Sequence, residues 1–435
     1  MKLHTLNYDG DKYLIYLPNT LKFFKATEST VLLANLIHDG KSYQDVLAIL
    51  PDVEESMYNS ISQMIQDGLS PQNDTLIEGW DKYLPRLVIH ISNSCNLSCK
   101  YCYANGGNYL SDCINIPVEL LDKILDVFYA MFDNIGFISL FGGEPTVNAE
   151  AIESVAKYLL EKKKDTKLGL ITNGTLIDEK LASLISKYAI NVTLSIDHED
   201  MQDVLRPYDN GNGTYETIKA NMEMLRKVAN QPSQLEVVYT QAHVDNQLSV
   251  IDVIKQVQST FGQLPVHLTP VSSEDALYML KDEDAFLQSI DDVFSSPELE
   301  MESNYVYAAR LINSLRLKKP QNGICSAGHN TISVSTTGKI YPCFYFTDQP
   351  EFSVADVSDS VDTVRDAVNA MRLTYYNANM HNKDECETCF ARTVCYGCLG
   401  VNYFETGDPR KPRDGHCNLV KKGLEKVLVH LAKTR

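Results

Sequence analysis

Positive charge is scarce in this sequence. Its 435 residues carry 39 lysines and arginines against 57 aspartates and glutamates, a formal net charge of −18. Holding a phosphate backbone needs a basic face, so nucleic acid is excluded as an expected partner. Long apolar runs are missing as well. No stretch is long enough to cross a bilayer, and the start Met1-Lys2-Leu3-His4-Thr5-Leu6 has no signal-peptide core. No membrane partner is therefore expected, and the protein is expected in the cytoplasm. Internal repeats, low-complexity tracts and long charge runs are not evident either. Cysteine, by contrast, is plentiful. Eleven of them in a reducing compartment predict metal ligands rather than disulfides. A hydrophobic content of 44% and a charged content of 22% are ordinary for a soluble globular chain, and the length leaves room for two to three domains.

Three of the thiols fall within Cys95-Asn96-Leu97-Ser98-Cys99-Lys100-Tyr101-Cys102, directly after the alternating stretch Leu87-Val88-Ile89-His90-Ile91. That stretch reads as a strand, so the thiols hang in the loop leaving its C-terminal end, where an α/β barrel places its chemistry. A loop this tight can wrap three corners of an iron–sulfur cubane and leave the fourth iron free for a small molecule. A zinc site would bring a paired C-x-x-C or a histidine at short spacing, and neither is within this loop.

Residues 1–80 read as a separate small unit. Leu14, Tyr16 and Leu17 lie in an extended stretch after the turn Asp9-Gly10-Asp11, which predicts a β-hairpin. Three helices are expected next: one opened by Thr27-Glu28-Ser29-Thr30, one from Ser42 to near Pro51, and one from about Val53 to Asp67 with Gly68 as its stop. A hairpin with three helices is the plan of a winged-helix-like module. With more acids than bases, this one is expected to bind peptide by adding a strand to the hairpin edge. Leu69 to Glu78 reads as a linker.

From residue 83, candidate strands Leu87–Ile91, Phe137–Phe141, Leu168–Thr172, Asn191–Ile196, Leu235–Thr240 and Val266–Leu268 alternate with candidate helices near 117–132, 149–163, 178–187, 215–229 and 248–260. The pattern predicts an α/β fold over residues 83–300, a parallel sheet curled into a partial (β/α)6 barrel with its active face at the strand C-termini. Helical stretches near 284–294 and 302–316 lead out of it, and residues 301–322 form a bridge. Residues 323–435 hold seven cysteines and few long periodic segments apart from a helix from about Leu419. A loop-rich domain stapled by metal clusters is expected there.

The triplet Cys95-x3-Cys99-x2-Cys102, followed by Gly142-Gly143-Glu144-Pro145 at the end of the second strand, resembles the radical S-adenosylmethionine (SAM) enzymes. The series Cys325-x12-Gly338-x4-Cys343, Cys386-x2-Cys389-x5-Cys395-x2-Cys398 and Cys417 resembles their SPASM extension, found in peptide- and protein-modifying members. Together the resemblances span residues 83–435. They imply SAM and three 4Fe–4S clusters: Cys95, Cys99 and Cys102 for the SAM-binding one, Cys386, Cys389, Cys395 and Cys417 for an outer auxiliary one, and Cys325, Cys343 and Cys398 for an inner one. Cys398 follows Cys395 by x2 where the family has x3. Tyr101 would lie beside the adenine, and Gly142 and Gly143 would let backbone approach the SAM amino group. Glu144 and Pro145 complete that motif. Asn173, within Thr172-Asn173-Gly174, would line the pocket, Ser195 would contact the ribose, and Arg206 would pair with the SAM carboxylate. The usual Ser-x-Asp-Gly reads Ser195-Ile196-Asp197-His198 here, leaving the roles of Asp197 and His198 open. A flavodoxin- or ferredoxin-type electron donor is implied as well.

In this division the inner cluster is one thiolate short. An open iron suits a substrate that is itself a thiol, held there as the thiolate. The 5′-deoxyadenosyl radical would take a hydrogen from a nearby peptide carbon, and that carbon would join the sulfur while the surplus electron passes to the cluster. The expected activity is installation of thioether cross-links in a ribosomally made precursor peptide, of the sactipeptide or ranthipeptide type, with residues 1–80 as the recognition element for its leader. Alternatives stay open. His329, Cys113 or water could fill the inner site, with Cys113 otherwise a plain thiol. The enzyme could form C–C cross-links or epimers, or the protein could be a non-catalytic iron–sulfur or zinc protein that binds peptides. Sulfatase-maturing members carry a catalytic aspartate directly after the cysteine matching Cys343, whereas Phe344 stands here. His198, His267 and His329 read as structural or exposed.

Overall fold

The computed structural model describes residues 3–69, 79–109, 111–272, 277–281, 283–296, 305–321, 323, 325–377 and 384–434. Most of the expected linker, from residue 70 to 78, lies outside them, as do 302–304 of the helical stretch predicted near 302–316 and parts of the 301–322 bridge. Among the described residues no helix is long and apolar enough to cross a membrane.

The N-terminal hairpin, β1 (His4–Asp9) and β2 (Lys12–Leu17), gains a third antiparallel strand, β3 (Lys22–Ala26), in the order β1-β2-β3. The stretch Lys22-Phe23-Phe24-Lys25 breaks strict alternation, so β3 has no clear sequence signal. Helices Glu28–His38, Tyr43–Leu47 and Glu55–Leu69 follow. Thr27 caps the first, and Ser42 opens the second through a capping box with Asp45. Gly68 is not a stop. It lies inside the third helix, where the Leu17 side chain occupies the space a Cβ would need.

The unit is also less separate than expected, because β2 is apolar on both faces. Ile15 packs with Leu33, Ala34, Val46, Ile61 and Ile65 in a core of the unit's own. Leu14 and Tyr16, pointing the other way, join the core of the main body.

Six parallel strands form the barrel sheet: β4 (Tyr83–Ser92), β5 (Asn134–Gly142), β6 (Lys167–Thr172), β7 (Asn191–Ser195), β8 (Gln234–Tyr239) and β9 (Val266–Pro270). The crossover helices are Val118–Met131, Ala149–Glu161, Glu179–Lys187, Tyr215–Ala229 and Val250–Phe261, close to their predicted spans. The helices 284–294 and near 302–316 are found at Asp284–Ser295 and Val306–Leu317. In β7 to β9, Val192, Leu194, Leu235, Val237, Val266 and Leu268 are fully buried. Their alternates Thr193, Ser195, Glu236, Val238, His267 and Thr269 are only half-buried. This alternate face is the less covered one, the side that would be the lumen of a barrel.

The C-terminal third is more regular than a loop-rich domain. β10 (Thr331–Val334) pairs parallel with β4, and β11 (Lys339–Tyr341) and β12 (Ala355–Asp356) follow antiparallel, extending the barrel sheet to nine strands in the order β12-β11-β10-β4-β5-β6-β7-β8-β9. Strands this short carry too few alternations to read. Helices Val361–Asn377, Leu399–Thr406 and Asp414–Thr434 complete the chain. In the first, Val364, Val368 and Met371 are buried at helical spacing. The last begins before the expected Leu419 and includes Cys417.

Candidate functional site

The loop from Cys95 to Cys102 leaves the C-terminal end of β4 and is tied down on three sides. Toward β5, the Gly143 and Glu144 amides donate to the Ser92 and Ser94 carbonyls at 2.9 and 2.8 Å. Glycine is required for that approach. A Cβ on Gly142, whose φ is +140°, would stand 2.0 Å from the Ser92 oxygen, and one on Gly143 2.5 Å from that of Ser94. Toward β6, Asn96 donates to Thr175 Oγ1 at 2.8 Å and accepts from Asn173 Nδ2 at 3.0 Å. Beyond β7, the Ser98 and Lys100 amides donate to the Pro207 and Leu205 carbonyls at 2.9 and 2.8 Å, just past the short helix Glu199–Leu205.

Glu144 clasps the ends of β5 and β6. At 1% exposure, its carboxylate accepts from the Thr146 amide and hydroxyl, the Thr172 hydroxyl and the Asn173 amide, all between 2.6 and 3.0 Å. Burial raises its pKa, and these donors oppose the rise. Pro145 opens the 3₁₀ turn Pro145–Asn148 behind it.

Tyr101, Asp197 and Arg206 meet on the far side of the loop. The Tyr101 hydroxyl donates to Asp197 Oδ2 at 2.6 Å, and Arg206 Nη1 donates to the same hydroxyl at 3.5 Å. Asp197 is fully buried and Arg206 is 7% exposed. Burial works against the Arg206 charge, but Tyr101, Cys99 and Asp197 outweigh it and its pKa is raised. Among the described residues its Nε is buried with no hydrogen-bond partner. His198, at the position where the family has glycine, caps Glu199–Leu205, its Nδ1 accepting from the Asp200 amide at 3.2 Å. Ser195 ends β7 on the lumen side, in register with Glu236 of β8.

The donor chemistry fits a cluster and a SAM-like ligand. Cys95 lies within electrostatic reach of Glu144, Cys99 and Cys102, and burial pushes its thiol up to about 12; burial pushes Cys99, beside Arg206 and Cys102, to about 11. Thiolates in such surroundings need adjoining cationic charge, which iron supplies. The free Arg206 Nε is a ready donor for a carboxylate. Among the described residues no three cysteine, histidine or carboxylate groups converge as they would on a single ion; the thiolates of a cubane sit on separate irons.

Cys325, Cys343 and Cys398, from three separate segments, lie within electrostatic reach of one another, Cys343 of both others and Cys398 of Cys325. Cys343 and Cys325 belong to an apolar and aromatic cluster with Ala327, Tyr341, Phe346, Leu399 and Tyr345, against which Cys386 and Cys395 pack as well. Burial raises Cys343 and pushes Cys398 up to about 11. Phe344 packs on Phe141 with ring centres 4.9 Å apart. The next carboxylate, Asp348, is engaged by Asn93 and Ser111, each donating at 3.0 Å. In the other set, the Cys389 amide donates to the Cys386 carbonyl at 3.1 Å. Cys417 senses Cys389, and Cys395 Sγ lies 3.9 Å from His416 Nε2. Cys113 is exposed, and His329 turns Nδ1 toward the Ala327 carbonyl at 3.3 Å.

The lumen holds polar residues that the motifs did not single out. His267 Nδ1 lies 3.3 Å from Glu236 Oε1, and Arg86 Nη2 donates to Ser139 at 3.1 Å. Their signal was a polar residue at alternate positions of otherwise apolar strands. His90, on the same face of β4 as Arg86, is fully buried, with Nε2 3.1 Å from Thr347 Oγ1 and no partner for Nδ1. Burial holds its pKa at about 3, against the usual 6.5. The unfolded chain therefore binds the extra proton between those values, and stability falls as pH drops through that window, by up to about 1.4 kcal/mol per pH unit. Denaturant unfolding of His90→Leu at pH 7 and pH 5 is expected to show a shallower loss than the native chain. Equal losses in both would remove His90 as the cause.

Residues 89–240 match the Radical SAM superfamily. A cysteine-type anaerobic sulfatase-maturating enzyme of Clostridium novyi is 25% identical over 384 residues, covering 81% of this chain and 98% of the relative. Among solved structures, native anSMEcpe with bound AdoMet has a TM-score of 0.66 at 20% identity, covering 80% of this chain and 98% of that one. Streptococcus suis SuiB bound to precursor peptide SuiA has a TM-score of 0.54 at 14% identity, covering 94% and 96%; likenesses this remote speak to the fold alone. The three-cysteine loop and the Gly142-Gly143 strand end packed against it lie within the residues, 89–240, that match the Radical SAM superfamily, a family that uses a 4Fe–4S cluster and SAM.

Proposed function

We propose that the protein is a cytoplasmic radical SAM maturase with a SPASM-type C-terminal region, and that it installs thioether cross-links in a ribosomally made precursor peptide. The observation that carries this reading is the mutual electrostatic influence of Cys325, Cys343 and Cys398, which lets these three be read as one ligand set although Cys386 and Cys395 pack against the same apolar cluster as Cys325 and Cys343; a cubane has four irons to ligate. A substrate cysteine is the natural fourth.

In this reading Cys95, Cys99 and Cys102 hold the SAM-binding cluster. Arg206 takes the SAM carboxylate through its free Nε, and Tyr101, held by Asp197, flanks the adenine. Gly142, Gly143, Glu144, Pro145 and Asn173 fix the strand ends around the loop, and Ser195 meets the ribose. When loaded, such a site supplies a 5′-deoxyadenosyl radical on receiving an electron, here from a flavodoxin- or ferredoxin-type donor. The half-buried wall of Thr193, Glu236, Val238, His267 and Thr269 leaves room in the lumen for a peptide segment. Phe344, packed at a tilt against Phe141, occupies the position where sulfatase-maturing members carry their aspartate, which favours another peptide chemistry. The three-stranded N-terminal sheet and its helices, as a winged-helix-like element, would take the leader. A peptide-bound structure among the neighbours, SuiB with SuiA, is consistent with a peptide substrate.

The test is anaerobic co-expression with a cysteine-bearing precursor, read by mass spectrometry. Thioether formation predicts a loss of two hydrogens per link together with thiols that no longer alkylate. Modified peptide with all thiols still alkylatable would overturn the thioether and leave a C–C cross-link or epimer. Absence of 5′-deoxyadenosine from reduced protein and SAM would leave only a binding protein.

A further inference from the structure

The N-terminal unit and the loop bearing Cys386, Cys389, Cys395 and Cys398 share an interface. The turn between β2 and β3 reaches into that loop. Thr393 Oγ1 donates to the Pro18 carbonyl at 2.7 Å, and Arg392 Nη2 donates to Asn19 Oδ1 at 3.2 Å. Asn19, 3% exposed, faces both ways: its Nδ2 donates at 2.8 Å to the carbonyl of Leu69, the last residue of helix Glu55–Leu69. Around this link, His4 stacks on Phe390 with ring centres 3.6 Å apart and lies 2.9 Å from Glu425. Lys318 Nζ donates to the Leu21 carbonyl at 2.6 Å. Beneath it, Leu14, Tyr16 and Leu21 share a core with Ala391, Val394, Cys389 and Cys395.

Among the described residues the cysteine loop has little regular structure of its own before Cys398, only the four-residue helix Asp384–Glu387 and the 3₁₀ turn Arg392–Val394. Its conformation is therefore set largely by what it packs against. The segment between Cys389 and Cys395 is the part Asn19 grips.

We infer that Asn19 is a positioning residue for the outer cysteine set. Through Arg392 it fixes the spacing of Cys389 and Cys395, and through Leu69 it ties that spacing to the unit proposed to take the leader. The inference rests on the reading of Cys386, Cys389, Cys395 and Cys417 as cluster ligands. It also changes how the N-terminal unit is to be probed. Removing residues 1–80 would strip Leu14, Tyr16 and Leu21 from the main core, so point variants are the informative ones.

The experiment takes the full chain, reconstituted anaerobically with iron and sulfide, and compares Asn19→Ala, Arg392→Ala, the double variant and Arg392→Lys. The native chain is expected to hold about twelve irons, and each alanine variant about eight. The double variant is expected to hold no fewer than Arg392→Ala, since Arg392→Ala already breaks the contact with Asn19 as well as the 3.1 Å bond of Arg392 Nη1 to the Glu387 carbonyl. Arg392→Lys, which keeps a donor toward Asn19, is expected to hold about twelve. Either alanine variant holding about twelve irons, with native release rates to a chelator, overturns the inference, as does additive loss in the double variant. A native chain holding about four irons overturns the cluster reading itself, and the inference with it.

Discussion

Replacing Cys99 by alanine is expected to abolish 5′-deoxyadenosine formation from SAM while leaving about eight of about twelve irons in place. The effect should be all-or-none because the three thiols of the loop are separate corners of one cluster, and the loop offers no spare donor. Its neighbours are already committed: Asn96 to Thr175 and Asn173, Ser98 to Pro207 and Asp209, Tyr101 to Asp197. The auxiliary cysteines lie on other segments, so their iron should be untouched. High-performance liquid chromatography of reduced protein with SAM measures the first effect, and iron and sulfide analysis measures the second. Residual 5′-deoxyadenosine near the native rate would remove Cys99 from the SAM-binding set.

Replacing Cys398 by alanine is expected to separate radical formation from product. SAM cleavage should continue, cross-linked peptide should disappear, and iron should fall to about eight per chain. Spacing alone made Cys398 the odd member of its series, because x2 stands where the family has x3. The fold brings it beside Cys325 and Cys343 regardless. Cys398 is the N-cap of helix Leu399–Thr406, and Leu399 is buried with Cys343, Tyr341 and Phe346, so the helix start carries the thiol to the other two. Cross-linked product from Cys398→Ala, detected by mass spectrometry, would contradict both its ligand role and the importance of the inner set.

The two variants fail in opposite ways if the proposed reading holds. Cys99→Ala makes no radical with all auxiliary iron present. Cys398→Ala makes the radical and wastes it. A binding protein without catalysis would show neither pattern.

Much of the architecture was legible because its signals are local. The six barrel strands alternate or run apolar within five or six residues, and the helices between them carry apolar residues at helical spacing. Thr27, Ser42 and Ser249 mark helix starts through their own side chains. The cysteine triplet and the Gly142-Gly143 pair were legible for the same reason, since each lies within a few residues of a strand end.

What could not be read were long-range contacts whose local signal is weak or has a commoner use. Glycine at 142 and 143 looks like room for a ligand, but only the approach of Ser92 and Ser94 shows what fills the missing Cβ space. Gly68 looks like a helix stop and instead makes way for Leu17. β10 to β12 run for four, three and two residues, and they exist because β4 offers its open edge to β10.

By itself the sequence determined the six central strands with the helices between them, the placing of three thiols at a strand's C-terminal end, and the acidic net charge. The tertiary structure alone decided which distant thiols meet. It also placed Asp197 with Tyr101 and Arg206, left one barrel wall half-buried, and set Asn19 between the N-terminal unit and the outer cysteine loop. The physical reason is common to these cases. Periodicity and capping are written over a few neighbouring residues, whereas side chains 79 residues apart, as Asn96 and Thr175 are, or 373 apart, as Asn19 and Arg392 are, meet only when packing brings their segments together.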